Sequence, residues 1–388
     1  MKIKFLSVAC ACLALLGARG EGVNLDQGFG AVPNADKPWV YWWWLNGNVD
    51  KQTIARDLEA MRRVGIGGFL MFDARAYHDD KNHVPAPPSK LDFMSPEWRK
   101  LVKFSLEKAD ELGLTVSINL SSCAGALKGP WEVGDDAPKK LVWTSSEIRG
   151  PKFSYTLQKP EGLRFWDVAL LAVKHADSNA TAQLSEQWQD TAPKAGTQPV
   201  ITDVVNLTAQ LDKKGKLLWT VPKGRWTLLR FGCTTMPGHE FDVDILDPAA
   251  VEGHFNRMGK ALLEEAGPLV GKTLTHFYSV SWEGAAPTWT LALPKEFETR
   301  RAYPLRPWLP VLAGFTVKTA ADSERFHRDY FRTLGHCFRD NFYGKMQALC
   351  AQAGLKWHSE SGGPWDRKLA SFAGRPCSAA GRPPCCEK

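Results

Sequence analysis

Apolar and polar positions change rhythm three times along this chain, and each change predicts a different kind of structure. Residues 38–45, PWVYWWWL, form an unbroken aromatic and apolar run of strand length, ended by the turn signal Asn46-Gly47-Asn48. Over 51–63 the period becomes helical, with Ile54, Leu58 and Met61 on one face and Asp57 and Glu59 outward, and Gly65 closes the element. GFLMF at 68–72 predicts the next buried strand, ending at Asp73. A second helix is predicted over 96–112, with Trp98, Val102, Leu106 and Ala109 on one face and Gly113 as its stop. LTVSINL at 114–120 then predicts a third strand. This alternation predicts a parallel α/β architecture.

Between 141 and 232 the rhythm shortens. KLVWTSSEI, RFWDVALLAV, KLLWTV and RWTLLRFG alternate at strand period between turns rich in Gly, Pro, Asp and Lys. They predict an antiparallel β domain, 141–247, inserted into the α/β pattern. The first rhythm resumes near Pro248: a helix over 250–266, a strand over 273–282 ending at Glu283, a helical region over 322–353 interrupted near Gly335, and a strand over 355–359 ending at Glu360. The expected fold is α/β, a (β/α)8 TIM-barrel-like domain that is incomplete, with about five strands. Its first part is 21–140 and its continuation 248–373. Residues 374–388, GRPCSAAGRPPCCEK, follow no period and read as an aberrant or disordered tail, such as a GC-rich gene translated out of frame would give.

Composition alters this picture in few places. Residues 1–20 have the form of a secretory signal peptide: Lys2 and Lys4, an apolar stretch from Phe5 to Leu16, then Ala18-Arg19-Gly20. Export to the periplasm or the medium is therefore expected, with no transmembrane segment in the mature chain. The formal charge of +7 is concentrated at the two termini, so no basic stripe suggests nucleic acid. The seven cysteines beyond the signal are odd in number and lack CxxC spacing, which argues against a disulfide scaffold or a zinc site. The 16 tryptophans stand out. Most belong in a core, yet an indole also offers a flat face for the C–H side of a sugar ring.

Candidate chemistry gathers where apolar strands run out, the catalytic end of a parallel barrel. Those positions hold Asn46, Asp73, Asn119, Glu283, His358 and Glu360, with Trp44 and Trp282 beside them. Glu283 between Trp282 and Gly284 suits a carboxyl raised by desolvation and used as a general acid; it equally suits a salt-bridged loop carboxylate. Glu360, in HSESGGP, is followed by glycines that let a ligand approach closely; alternatively the glycines only make a turn. HEFDVDILDP at 239–248 brings Glu240, Asp242, Asp244 and Asp247 together, an oxygen-rich set but without EF-hand spacing.

Several long motifs then add up in order. PWVYWWWLNGNV with DLEAMRRVGIGGFLMFD, SWEGAAPTWT with EFETRRAYPLRPWLPVLAG, and SERFHRDYFRTLGHCFRDNFYGKM with HSESGGP resemble glycoside hydrolase family 106, the α-L-rhamnosidases, over residues 36–373. The resemblance implies a (β/α)8 domain, inverting hydrolysis of terminal α-L-rhamnose from glycans or glycosides, and a calcium ion holding sugar hydroxyls. It places Glu283 at the family's catalytic glutamate and Glu360 at a second acidic strand end, catalytic or sugar-binding. Trp44, Asn46, Asp73, Asn119, Trp282 and His358 are the expected substrate contacts. Arg300-Arg301-Ala302-Tyr303 departs from the family's usual glycine before Tyr. Family members are longer and carry a further glutamate motif, so weak or absent activity is expected if the chain ends as written. The competing readings are a non-catalytic carbohydrate-binding protein and a TIM-barrel glycosidase for another sugar.

Overall fold

The computed structural model describes residues 30, 32–74, 88–122, 126–148, 154–159, 162, 164–176, 198–282 and 285–360. The signal segment 1–20, Glu283 and the tail 374–388 lie outside them. The fold is mixed α/β, with two five-stranded sheets and one two-stranded sheet among the described residues. The first sheet is wholly parallel, formed by β1 (Trp39–Leu45), β2 (Gly68–Ala74), β3 (Thr115–Asn119), β10 (Leu274–Ser279) and β12 (Lys356–Ser359), in that spatial order.

Its helices start and stop where their caps dictate. Helix α1 (Lys51–Arg63) begins at Asp50, whose carboxylate accepts the Thr53 amide at 2.8 Å. Helix α2 (Pro96–Leu112) begins at Ser95, whose hydroxyl accepts the Trp98 amide at 3.2 Å, with Pro96 at the first helical position. It ends at Gly113 in the left-handed conformation, φ 65°. Ile54 and Leu58 of α1 and Trp98, Val102, Leu106 and Ala109 of α2 are buried against the sheet. Each such aliphatic side chain contributes about 1.5–3 kcal/mol on leaving water. Gly68 is required by close approach: a Cβ there would stand 2.6 Å from the Thr115 carbonyl oxygen and 2.6 Å from the Trp39 ring.

Side chains alternate across a strand, so the sheet has two different faces. Trp42, Trp44, Phe69, Met71, Val116, Ile118 and Phe277 join the helices in the main core. Leu70, Phe72, Ala74, Tyr278 and Val280 form a separate cluster on the other face. That face is concave. Between β1 and β10, three strands apart, a flat sheet would leave roughly 14 Å. Instead the Trp39 and His276 rings lie 5.5 Å apart and Tyr41 and Tyr278 6.5 Å apart.

The second sheet runs β11 (Thr316–Val317), β7 (Val200–Asn206), β6 (Phe165–His175), β9 (Trp226–Thr235), β4 (Lys139–Ile148). It is antiparallel except for β11, which pairs parallel with β7 and comes from the chain after the expected insert. Strands β6 and β9 are apolar on both faces because both are covered. One face joins the main core through Leu171, Val173, Leu229 and Phe231. The other packs under β5 (Ser154–Thr156) and β8 (Lys216–Leu218) through Leu170, Leu228 and Trp226. The chain returns through α3 (Pro248–His254), capped by Asp247, a π-helical segment Phe255–Gly259, and α4 (Lys260–Ala266). After α5 (Leu293–Arg301), helix α6 (Ala320–Cys337) passes through a second π segment, Phe338–Gly344, into α7 (Lys345–Gln352). The expected break near Gly335 thus falls a few residues later, as a change of helical pitch. No helix among the described residues is long and apolar enough to cross a membrane.

Candidate functional site at the strand ends

Glu360 follows β12 directly, and its backbone amide still donates to the Ser279 carbonyl of β10 at 3.2 Å. Its carboxylate reaches across the concave face. Oε2 accepts the Ser281 amide at 3.3 Å and the Ser281 hydroxyl at 3.2 Å, and Oε1 accepts the Tyr41 hydroxyl at 3.4 Å. Burial pushes the carboxyl up, but the hydroxyl of Tyr278, the amide and hydroxyl of Ser281 and the hydroxyl of Tyr41 outweigh it, and the net direction is down. Glu360 is thus held as a carboxylate at neutral pH. This suits a base or a hydroxyl-binding anion and does not suit a general acid.

Below it lies a layer of neutral polar groups. The His358 ring accepts or donates at 2.8 Å with the Ser117 hydroxyl and lies 4.9 Å from the Tyr278 ring. Burial, reinforced by His276, lowers His358 to about 4; burial, reinforced by Lys356, does the same to His276. Neither carries charge near neutrality. Asn119, opposite Tyr278 in the ladder, donates to the Ser121 carbonyl, while its buried Oδ1 has no partner among the described residues. Trp39, Tyr41 and Trp43 present the aromatic rings of the same face, 37%, 52% and 47% exposed.

Of the expected contacts, Asn119 and His358 share the concave face with Glu360. Four others do not stand open to a sugar there. Trp44 and Asp73, opposite each other in the β1–β2 ladder, point to the helices instead. Trp44 is fully buried, edge-on to Trp42 and Trp98, and Asp73 accepts the Trp98 indole N–H at 2.6 Å. The reason is strand parity: Trp43, one residue earlier, takes the open face and stacks on Phe72 at 4.7 Å. Asn46 is buried in the turn after β1, φ 52°, its carbonyl accepting the Lys90 amide. Trp282 is buried, donating to the Ala285 carbonyl at 3.1 Å and stacking on His239 at 5.4 Å. Sequence reasoning missed Tyr41, Tyr278 and Ser281 as the groups around Glu360. Counting alternate residues back along β1 and β10 would have pointed to both tyrosines.

The acidic run 239–248 is dispersed. Asp242 accepts from His239 at 2.7 Å, Asp244 pairs with Lys139 at 3.3 Å, Asp247 caps α3, and Glu240 accepts the Gly238 amide. Among the described residues no three His, Cys, Asp or Glu side chains converge as metal ligands. Each of these four carboxylates thus has a separate partner.

A family model described as alpha-L-rhamnosidase, glycoside hydrolase family 106, matches residues 31–199 and 172–373. A Formosa agariphila protein named "Putative beta-glucuronidase" is 32% identical over 379 residues, 91% of this chain. The chain spans only 32% of that relative's length. The solved rhamnosidase of Novosphingobium sp. PP1Y superposes with a TM-score of 0.70 at 23% identity, covering 87% of this chain and 47% of the other. That likeness concerns the fold.

Proposed function

The chain belongs to glycoside hydrolase family 106, the alpha-L-rhamnosidases, and on that premise we propose that it is an exported enzyme that cleaves terminal α-L-rhamnose from glycans or glycosides with inversion. The curled parallel sheet is then part of a (β/α)8 barrel, with chemistry at its strand ends. One observation carries the reading. The carboxylate after β12 is tied to Ser281, which lies just past the neighbouring strand β10 and two residues before Glu283 in the chain.

Inversion needs one protonated carboxyl and one carboxylate, about 6.5–9.5 Å apart, with water between the base and the anomeric carbon. Glu360 takes the base role because its hydrogen bonds favour the charged form. Glu283 takes the acid role, protonating the departing glycosidic oxygen. Tyr41 and Trp43 offer surfaces for the sugar ring, and Asn119 Oδ1 an acceptor for a hydroxyl.

The relative named for glucuronides supports a second substrate. A uronate wants a free cation beside the sugar, but Lys128 is paired with Asp242 and Lys356 lies at the start of its strand, away from Glu360. Among the described residues, neither of these two offers a uronate a free charge beside Glu360. The test is hydrolysis of 4-nitrophenyl α-L-rhamnopyranoside against 4-nitrophenyl β-D-glucuronide, with Glu283→Gln and Glu360→Gln. Rhamnoside turnover lost in both variants is expected. Turnover retained in Glu283→Gln removes the acid assignment, and glucuronide turnover alone replaces the substrate. Rhamnose binding without cleavage of either glycoside would make the protein a binding module.

A further inference from the structure

The imidazole that stacks on Trp282 is held in a way that its packing alone does not explain. His239 Nδ1 lies 2.7 Å from Asp242 Oδ2, and the Asp242 side chain is 4% exposed. The other Asp242 oxygen faces Lys128 Nζ at 3.5 Å. Lys128 is bridged in the backbone to Ser121, just past β3, and to Asp242. The Ala126 amide donates to the Ser281 carbonyl, just past β10. The His239 ring lies 17° from parallel to Trp282. The group therefore sits where the ends of β3 and β10 meet, beside the residue that binds Glu360. Burial pushes the Asp242 carboxyl up against the opposing pull of Lys128 and His239. A loop that needed only an aromatic plug over Trp282 would not require a desolvated carboxylate behind it.

We propose that His239 is a substrate-binding residue whose Nε2 accepts a hydroxyl of the glycan, with Asp242 as its positioning residue. The inference rests on the proposed glycosidase function and deepens it. A neutral imidazole bound through Nδ1 to a carboxylate carries its proton there, so Nε2 is left with a lone pair. The side chain is 21% exposed, and among the described residues Nε2 has no hydrogen-bond partner. The ligand class is a sugar hydroxyl, a donor that meets this lone pair without a change of charge. Asp242 and the stack on Trp282 together hold the ring in one rotamer and one tautomer before substrate arrives.

Two measurements test this. In protein with 15N-labelled imidazoles, long-range 1H–15N correlation should show His239 protonated at Nδ1 and bare at Nε2, and Asp242→Asn should abolish that pattern. With 4-nitrophenyl α-L-rhamnopyranoside, His239→Phe keeps the stack and removes the acceptor. KM should rise about tenfold with kcat changed less than threefold, the signature of a contact made equally in ground and transition states. His239→Gln, which retains an acceptor, should recover part of the loss. Unchanged KM in His239→Phe while the wild type turns over would overturn this inference alone. A joint fall in kcat and thermal stability would also overturn it, because that is the mark of packing. If the wild type cleaves neither the rhamnoside nor the glucuronide, the proposed function falls and this inference with it.

Discussion

Lys139 and Asp244 form an ion pair at 3.3 Å with side chains 1% and 0% exposed, where β4 meets the segment leading into α3. Lys139 Nζ also donates to the Ala137 carbonyl at 2.8 Å. Burial, opposed by Lys139, raises Asp244 from 3.8 to about 6. A raised folded pKa means stability that is fully present below 3.8 and is lost as pH rises toward 6. At ~1.36 kcal/mol per pH unit the loss is about 3 kcal/mol by pH 6, after which it levels off because the folded state has also ionised. Replacing Lys139 by Met removes the charge that favours the Asp244 anion, so ionisation moves to higher pH and the loss continues. At pH 7 the ceiling is about 4.4 kcal/mol, the cost of keeping Asp244 protonated when the unfolded chain would ionise it. The pH-dependent part of the Lys139→Met effect should therefore grow by about 1.4 kcal/mol between pH 5 and pH 7. Urea unfolding followed by tryptophan fluorescence at both pH values measures it. Subtracting the two differences removes every pH-independent change in packing. With Asp244→Asn in both backgrounds the growth should vanish. A difference that stays constant or shrinks would show that Asp244 does not hold its proton more tightly without Lys139 and would refute the reasoning.

Ser281→Ala deletes a hydroxyl that favours the Glu360 anion, so the acid limb of kcat/KM should move to higher pH in a pH–rate profile; a shift to lower pH would contradict the assigned role. Trp43→Ala should raise KM for the rhamnoside by up to about tenfold, the scale of one lost ring stack, with little effect on the urea midpoint because the ring is half exposed. Burial pushes Cys233, Cys337 and Cys350 up to about 12, so peptide mapping after iodoacetamide treatment at pH 8 should find all three unmodified in the native state and alkylated in guanidinium.

What could be read from the sequence was whatever local chemistry decides. Helix α2 is bounded by a Ser-Pro start and a left-handed glycine stop, and its buried face is the one its spacing predicts, because cap and period act within a few residues. The parallel rhythm of β1, β2 and β3 and the acidic strand end at Glu360 were legible for the same reason. Which face each aromatic of β1 would take was not. Trp42, Trp43 and Trp44 are alike in hydropathy, and a strand covered on one side by helices and curled on the other carries no polar alternation to mark its faces. The acidic run 239–248 looked like one cluster, yet its members found partners at Lys139, Lys128, His239 and a helix cap. The two-residue strand β11 crossed to the other sheet, where its pairing depends on Val200 and Ile201 far earlier in the chain. Above all, the carboxylate state of Glu360 depends on Tyr278, Ser281 and, 319 residues away, Tyr41. Local sequence determined the elements and where polar groups leave them; the curl of the sheet decided which of those groups meet, because hydrogen bonds and desolvation act over a few ångströms of space regardless of distance along the chain.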